Sequence, residues 1–358
     1  MSKLLIIPIR TEFGSDADRP TGEDSFSSLV AIIDTEGIFC PKEKRGNMAA
    51  ICEDNRIDVP RVLNQQQIQG WIDDGYLVVA DMLSSAELDE LKQDSVAITR
   101  GKYPSENFKP LPNDISDEDA IANILAIHHP HLISPVIVKY VKHPKISGAL
   151  SQIVGAHLPW WDGSVKCMQT MLFVKPPGFQ GQAWHQDELY IQTRDRSLTG
   201  VWIAMDDANE ANGCLHVIPG SHKAGYLYPQ RNHDDPDEFD GGEMSYGFDE
   251  SPAITVEVKA GSAVFFQGHL LHCSQKNRSD RFRRTLVIHT MNAWSTLPWS
   301  TPDLPVPSTG DRRAIIHLSG IDPYAWKGIA EHHRTPYLRR CPANTKTLPP
   351  QVSLDEKK

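Results

Sequence analysis

Apolar residues recur at two different spacings along this chain, and the change of spacing divides it. Between residues 64 and 155 they fall three and four apart, the period of helices with one buried face. Asn64 can cap a helix whose Ile68, Trp71 and Ile72 share a face, and Gly75 ends it. Tyr76-Leu77-Val78-Val79 then reads as a strand. Ser84 with Glu87 three residues on forms a capping box, with Leu83 and Leu88 at the staple positions. A third helix opens at Pro144, turns Ile146, Leu150 and Ile153 inward and stops before Gly155. These helices read as scaffold.

From residue 165 the spacing shortens. Apolar runs of five to ten residues are broken by Pro, Gly and Asn, and seven of them are candidate strands: 165–174, 183–191, 199–205, 214–218, 253–258, 262–266 and 285–292. Strands at this interval, with turn signals such as Asn212-Gly213 between them, suggest a closed all-β barrel or jelly roll. Residues 223–252 interrupt the series with eight carboxylates between Asp234 and Glu250. That stretch is either a solvated loop or a lid at the barrel mouth, since unstructured loops of this length in compact domains are uncommon. Residues 1–60 carry no sustained period and form an extension, 61–295 form the domain, and the proline-rich 296–358 is a tail on it.

Composition narrows the classes. A net charge of −10 with no block of Lys or Arg argues against nucleic acid as a partner. No run approaches the length of a membrane span, and Leu4 to Ile9 is too short for a signal h-region. Six cysteines without CxxC spacing read as free thiols, which fits a reducing cytoplasm.

Chemistry concentrates in AWHQDELYI, residues 183–191. In a strand, His185 and Asp187 point to one face. One imidazole and one carboxylate on one face are two-thirds of the triad that holds Fe(II) with open positions. A third ligand should be a histidine on a later strand, and His216, His222, His269, His272 and His289 are all available. Periodicity does not choose among them. His222 lies in a Pro-Gly-Ser-His turn that suits loop anchoring, and His289 reads as a strand-face residue.

Three blocks in order, KPPGFQGQAWHQDELY, NGCLHVIPGSHKAG and AGSAVFFQGHLLHCSQKNRSDRFRR, resemble the phytanoyl-CoA dioxygenase family of Fe(II)/2-oxoglutarate dioxygenases, over residues 65 to 293. The resemblance implies a mainly β protein with flanking helices (α+β) around a double-stranded β-helix, the jelly-roll or cupin-like core. It implies Fe(II) as metal, with 2-oxoglutarate and O2 as co-substrates. It also implies His185, Asp187 and His272 as iron ligands and as the catalytic centre. The 2-oxoglutarate arginine falls on Arg283; Arg284, on the opposite strand face, is the alternative. Ser274, Gln169 and Trp202 match further cofactor-binding positions. Cys273 stands where the family often has Gly.

The resemblance implies oxidative decarboxylation of the co-substrate to succinate and CO2, coupled to hydroxylation of an aliphatic C–H. Relatives that halogenate replace the carboxylate of the triad with a small residue; this chain keeps Asp187. A cupin-like isomerase or binding module without redox chemistry is the competing reading. No GxSxG elbow or GxGxxG loop supports a hydrolase or a nucleotide-dependent oxidoreductase. Arg194, Arg196, Lys223 and Arg231 could meet the phosphates of a coenzyme A thioester, but the acidic 234–250 stretch would repel them. The balance favours a small substrate, neutral or cationic.

Overall fold

The two spacings become two layers in a computed structural model, which describes residues 55–105, 110–111, 114–295, 315–325 and 337–340, the last four as backbone. Most of the 1–60 extension, and much of the tail, lie outside these described residues. Helix α1 (Gln65–Asp74) is closed at its start by the reciprocal Asn64–Gln67 capping box and at its end by Gly75 in the left-handed region, φ 76°. Trp71 is buried, but Ile72 is 39% exposed. The shared face expected for both does not form, because neighbouring helical positions lie about 100° apart and only one can point at the core.

Strand β1 (Tyr76–Val79) follows. Helix α2 (Ser85–Thr99) begins with the Ser84–Glu87 box, and Leu83 and Leu88 are both buried. The next elements were not legible: α3 (Asp117–Ala122), β2 (Ile124–His128) and α4 (Pro135–Val141) are each too short to show a period. Helix α5 (Pro144–Ile153) buries Ile146, Leu150 and Ile153 as expected.

The long sheet is built on β3 (Val165–Lys175) and β12 (Arg283–Asn292), paired antiparallel along their length. Outward from β12 come β5 (Thr199–Ala204), β10 (Ala263–Gln267) and β1. On the other side of β3, β2 takes one half, and β13 (Ile316–Ser319) takes the other, so part of the tail belongs to the sheet. β14 (Tyr337–Arg340) extends it beyond β2.

The two faces of this sheet separate by the period of two. Leu172, Val201, Ile203, Phe265, Leu286 and Ile288 face the helices and join Leu91, Ile98 and Leu150 in the main core. Gln169, Met171, Lys175, Trp202, Arg283 and His289 face the other way, into a cavity of about 540 Å³.

A short sheet closes that cavity: β4 (Gln182–His185), β11 (His272–Ser274), β6 (Leu215–Val217) and β9 (Ile254–Val256), in that order. Two antiparallel sheets enclosing a site make the expected double-stranded β-helix. The strand expected over 183–191 stops at His185, and a 3-10 turn, Asp187–Leu189, replaces its second half. In place of a structureless 223–252 loop, β7 (Gln230–Asn232) and β8 (Glu243–Ser245) form a hairpin. It is tied to the short sheet by Gly181 N–H donating to Glu238 O (2.7 Å) and Asp240 N–H donating to Gly181 O (2.8 Å). Among the described residues no helix is long and apolar enough to cross a membrane.

Candidate metal centre and cofactor pocket

His185 ends β4 and His272 begins β11, and the two are direct partners across the antiparallel ladder. Their rings lie 4.1 Å apart between centroids. Gln186 is extended (φ −126°, ψ 126°), so Asp187 stays on the face of His185 although the strand has ended. Asp187 Oδ1 is 3.6 Å from His185 Nε2 and 3.7 Å from His272 Nε2. Among the described residues, this trio is the one group of His, Cys, Asp or Glu whose donor atoms lie within 4.8 Å of one another.

The tautomers follow from the other ring nitrogens. His185 Nδ1 sits 2.8 Å from Ala183 O, and His272 Nδ1 sits 3.0 Å from Leu270 O. A carbonyl can only accept, so each Nδ1 carries the proton and each Nε2 keeps its lone pair. Burial pushes the His185 imidazolium down to about 3, so the ring is neutral near pH 7. Burial alone would raise the Asp187 carboxyl, but His289, His272 and His185 around it hold it well below the usual range. Two imidazole lone pairs and one ionised carboxylate suit Fe(II) with open positions.

The opposite end of the cavity is cationic. Arg283 is buried, its guanidinium carbon stands 5.4 Å from the Trp202 ring, and its Nε has no hydrogen-bond partner. Burial lowers its pKa to about 10. Among the described residues no carboxylate forms an ion pair with it. Arg284 behaves oppositely: Nε and Nη2 donate to the two oxygens of Asp206 at 2.8 and 2.7 Å. Ser274 Oγ accepts from Lys175 Nζ at 3.0 Å and from Gln182 N–H at 3.3 Å. Gln169 and Trp202 line the cavity.

Of the other histidine candidates, His216 pairs with Cys273 on β11, and its ring meets Thr255. His222 anchors against Ile72 O at 3.2 Å, the loop role read from its turn. His269 lies 3.9 Å from Glu188 Oε2. None of these three reaches the trio, whereas His289, read as a strand-face residue, lies with Nε2 3.0 Å from Asp187 Oδ2.

Several cavity residues were not picked out from the sequence. Lys175 is fully buried and donates to Gln275 O at 2.6 Å as well as to Ser274, with Arg283 beside it on β12. Burial, then Arg283, holds its pKa well below the ordinary lysine value. Gly213, at φ +75°, makes room, since a Cβ there would stand 2.3 Å from Gln275 O and 3.0 Å from Lys175 Nζ. His128 and His129 line the wall supplied by β2, and His129 is a buried non-glycine residue at φ +57°. Strained backbone of that kind collects at functional sites. Asp240, from the hairpin, lines the cavity as well.

Comparison with known proteins bears on family and fold. The model of the phytanoyl-CoA dioxygenase (PhyH) family matches residues 71–285. An Arabidopsis thaliana phytanoyl-CoA dioxygenase is 32% identical over 177 residues, covering 48% of this chain and 59% of that protein. A probable phytanoyl-CoA dioxygenase of Caenorhabditis elegans is 30% identical over 249 residues, covering 64% and 76%. The fold is shared with the epimerase SnoN, solved with Fe3+, alpha ketoglutarate and nogalamycin RO: TM-score 0.51 at 18% identity, over 72% of this chain and 96% of that one.

Proposed function

The chain belongs to the phytanoyl-CoA dioxygenase family of Fe(II)- and 2-oxoglutarate-dependent oxygenases, and from that premise we propose that it hydroxylates an aliphatic C–H of a small organic substrate, releasing succinate and CO2. The observation that carries this reading is one cavity with the His185–Asp187–His272 trio at one end and an unpaired, buried guanidinium at the other. In this assignment the trio supplies two Nε2 atoms and one carboxylate oxygen to Fe(II), leaving three positions. Bound there, iron and 2-oxoglutarate supply the activation of O2.

The chain's own residues position and exclude. Arg283 offers a fork to the distal carboxylate of 2-oxoglutarate, with Ser274 as hydroxyl donor and Lys175 as a second cation beside it. Trp202 keeps water from the guanidinium, and Gln169 completes the wall. Keeping Asp187, where halogenating relatives have a small residue, favours hydroxylation. A cupin-like isomerase or binding module would have no use for a buried arginine without a carboxylate, which weighs against that alternative.

The substrate is read as small because co-substrate and substrate share about 540 Å³. None of Arg194, Arg196, Lys223 and Arg231 lines the cavity, whereas Asp240 does, so the cations that could have met a thioester's phosphates do not face it. With its net charge of −10, the chain is assigned to small-molecule chemistry in the cytoplasm, with no nucleic-acid or membrane partner. Anaerobic Fe(II) with 2-oxoglutarate should give a weak visible charge-transfer band. Admitting O2 with candidate substrates should then give succinate and a product heavier by one oxygen atom. No band would remove the iron assignment; succinate without a product carrying added oxygen, across the screen, would remove hydroxylation.

A further inference from the structure

Asp187 has two oxygens, and the protein treats them differently. Oδ1 faces the Nε2 atoms of His185 and His272. Oδ2 is held from the other side by His289 Nε2 at 3.0 Å, with both residues buried. An ionised carboxylate only accepts, so His289 Nε2 carries the proton and donates it. His289 itself stands outside the group of atoms close enough to share one ion. Its place is fixed by the long sheet, where it pairs with Gly200 on one side and Gln169 on the other. Immediately after it the β3–β12 register slips, with Met168 as the extra residue on β3. A bulge of this kind beside a site re-aims the side chains around it.

We infer that His289 is a positioning residue that holds Asp187 to the metal by one oxygen. This rests on the reading of His185, Asp187 and His272 as the iron ligands. A carboxylate left free on Oδ2 can rotate and chelate through both oxygens, which takes one of the three positions that 2-oxoglutarate and O2 require. A hydrogen bond to Oδ2 from a buried donor removes that option and fixes the carboxylate plane toward the two imidazoles. The long sheet thereby sets the coordination number of a metal whose three ligands all lie on the short-sheet side of the cavity.

The test uses the full chain, metal-free, titrated anaerobically with Fe(II) and with Co(II), whose visible absorption reports coordination number. Gln places an amide nitrogen near His Nε2, whereas Asn reaches only the Nδ1 position and Leu donates nothing. His289→Leu and His289→Asn should lose about 10- to 100-fold in Fe(II) affinity, the range for residues that orient a ligand. Their cobalt spectra should shift, and their Fe(II)–2-oxoglutarate band should weaken. His289→Gln should keep the wild-type spectrum and most of the affinity, which a purely space-filling role would not produce. If Leu fails to fold, the Gln and Asn variants decide alone. Wild-type spectra in the Leu or Asn variant, or equal damage in Gln and Asn, overturn the inference with the iron assignment intact. A wild-type chain that binds neither metal, like a His185→Ala control, overturns both.

Discussion

The two sheets that enclose the cavity are built on different terms. The long sheet has strands of up to 11 residues, one face sealed by helices and the main apolar core. The short sheet has strands of three or four residues, and at its heart stand His185, His272 and Ser274. Trp184, Leu271 and Cys273 pack on its far side against Phe248 from the hairpin region. Packing against the helices is therefore concentrated in one sheet and the candidate metal ligands in the other. The long sheet contributes cations and donors to the cavity, and although its Trp202, Val264, Phe266 and Val287 share one apolar cluster with Leu215, Val217 and Val256 of the short sheet, the trio comes wholly from the short-sheet side. That separation is testable.

The largest expected effect lies in the short sheet. His185→Ala or His272→Ala should abolish turnover, because two remaining ligands hold iron weakly, while the thermal transition shifts only a few degrees. Metal analysis and a melting curve on the same samples check it. A variant that unfolds outright would show that the short sheet is a structural partner and would break the comparison. Near-native iron and activity in His272→Ala, with both lost in His289→Ala, would move the third ligand to the long sheet.

The next effect separates neighbours on one strand. Arg283→Leu leaves the co-substrate's distal carboxylate buried without a partner, roughly 3–5 kcal/mol for a broken buried pair. The apparent constant for 2-oxoglutarate should rise by two to three orders of magnitude, about 1.4 kcal/mol per tenfold, with iron binding retained. Lysine at this position should rescue only in part, since it offers a point charge in place of a fork. Arg284→Leu should do the reverse: it strips Asp206 of a bidentate partner, costs about 1–3 kcal/mol of stability and leaves the constant unchanged. If Arg284→Leu alone raises the constant, the inward face of β12 is misassigned.

Lys175 joins the two sheets, running from β3 to Ser274 and Gln275. Lys175→Met leaves Gln275 O short of a buried donor, for about 1–3 kcal/mol of stability. It should also weaken 2-oxoglutarate by about tenfold, one charged hydrogen bond's worth. Urea unfolding and an anaerobic titration read the two losses separately. A loss of stability alone would make Lys175 a strut between the sheets with no part in the anion site.

The sequence revealed these two regions by different signals. The long sheet and its helices were visible as periods, and the cap at Asn64 and the capping box at Ser84 located helix starts to the residue. The short sheet was partly visible too, since 183–191, 214–218 and 253–258 were candidate strands; motif resemblance named His185, Asp187 and His272, although the strand of His185 was misread as running to Ile191 and the three-residue β11 was too brief to show. The same brevity hid α3, β2 and α4, and with β2 the wall carrying His128 and His129. His289 was within reach. The period of two that turns Arg283 inward turns residue 289 inward as well, six positions on, but an inward histidine names no partner until the fold brings Asp187 to it. Lys175 opens the quoted motif, yet a lysine beside two prolines reads as solvated until a sheet closes over it.

The smallest effect is a difference in pH response. Glu188 follows the triad carboxylate on the short-sheet side; its Oε1 accepts from Thr193 N–H and Oγ1, both at 2.6 Å, while Oε2 has no hydrogen-bond partner. Burial raises its pKa to about 7, with Asp195 and Asp187 adding to the shift. A folded pKa above the ordinary 4.5 means that the folded chain holds this proton more tightly than the unfolded chain does. Its contribution is then fully present below about pH 4.5 and is lost as pH rises through about 7. Glu188→Gln keeps the acceptor for Thr193 and removes the titration. Relative to wild type, the variant should therefore gain stability between pH 5 and pH 8, by about 1–3 kcal/mol at most. Urea unfolding of both metal-free proteins at the two pH values measures it. Arg284→Leu, a long-sheet control, should show the same deficit at both. A pH-independent difference for Glu188→Gln would mean that Glu188 stays ionised when buried. The short-sheet side would then be no more pH-sensitive than the long sheet across this range.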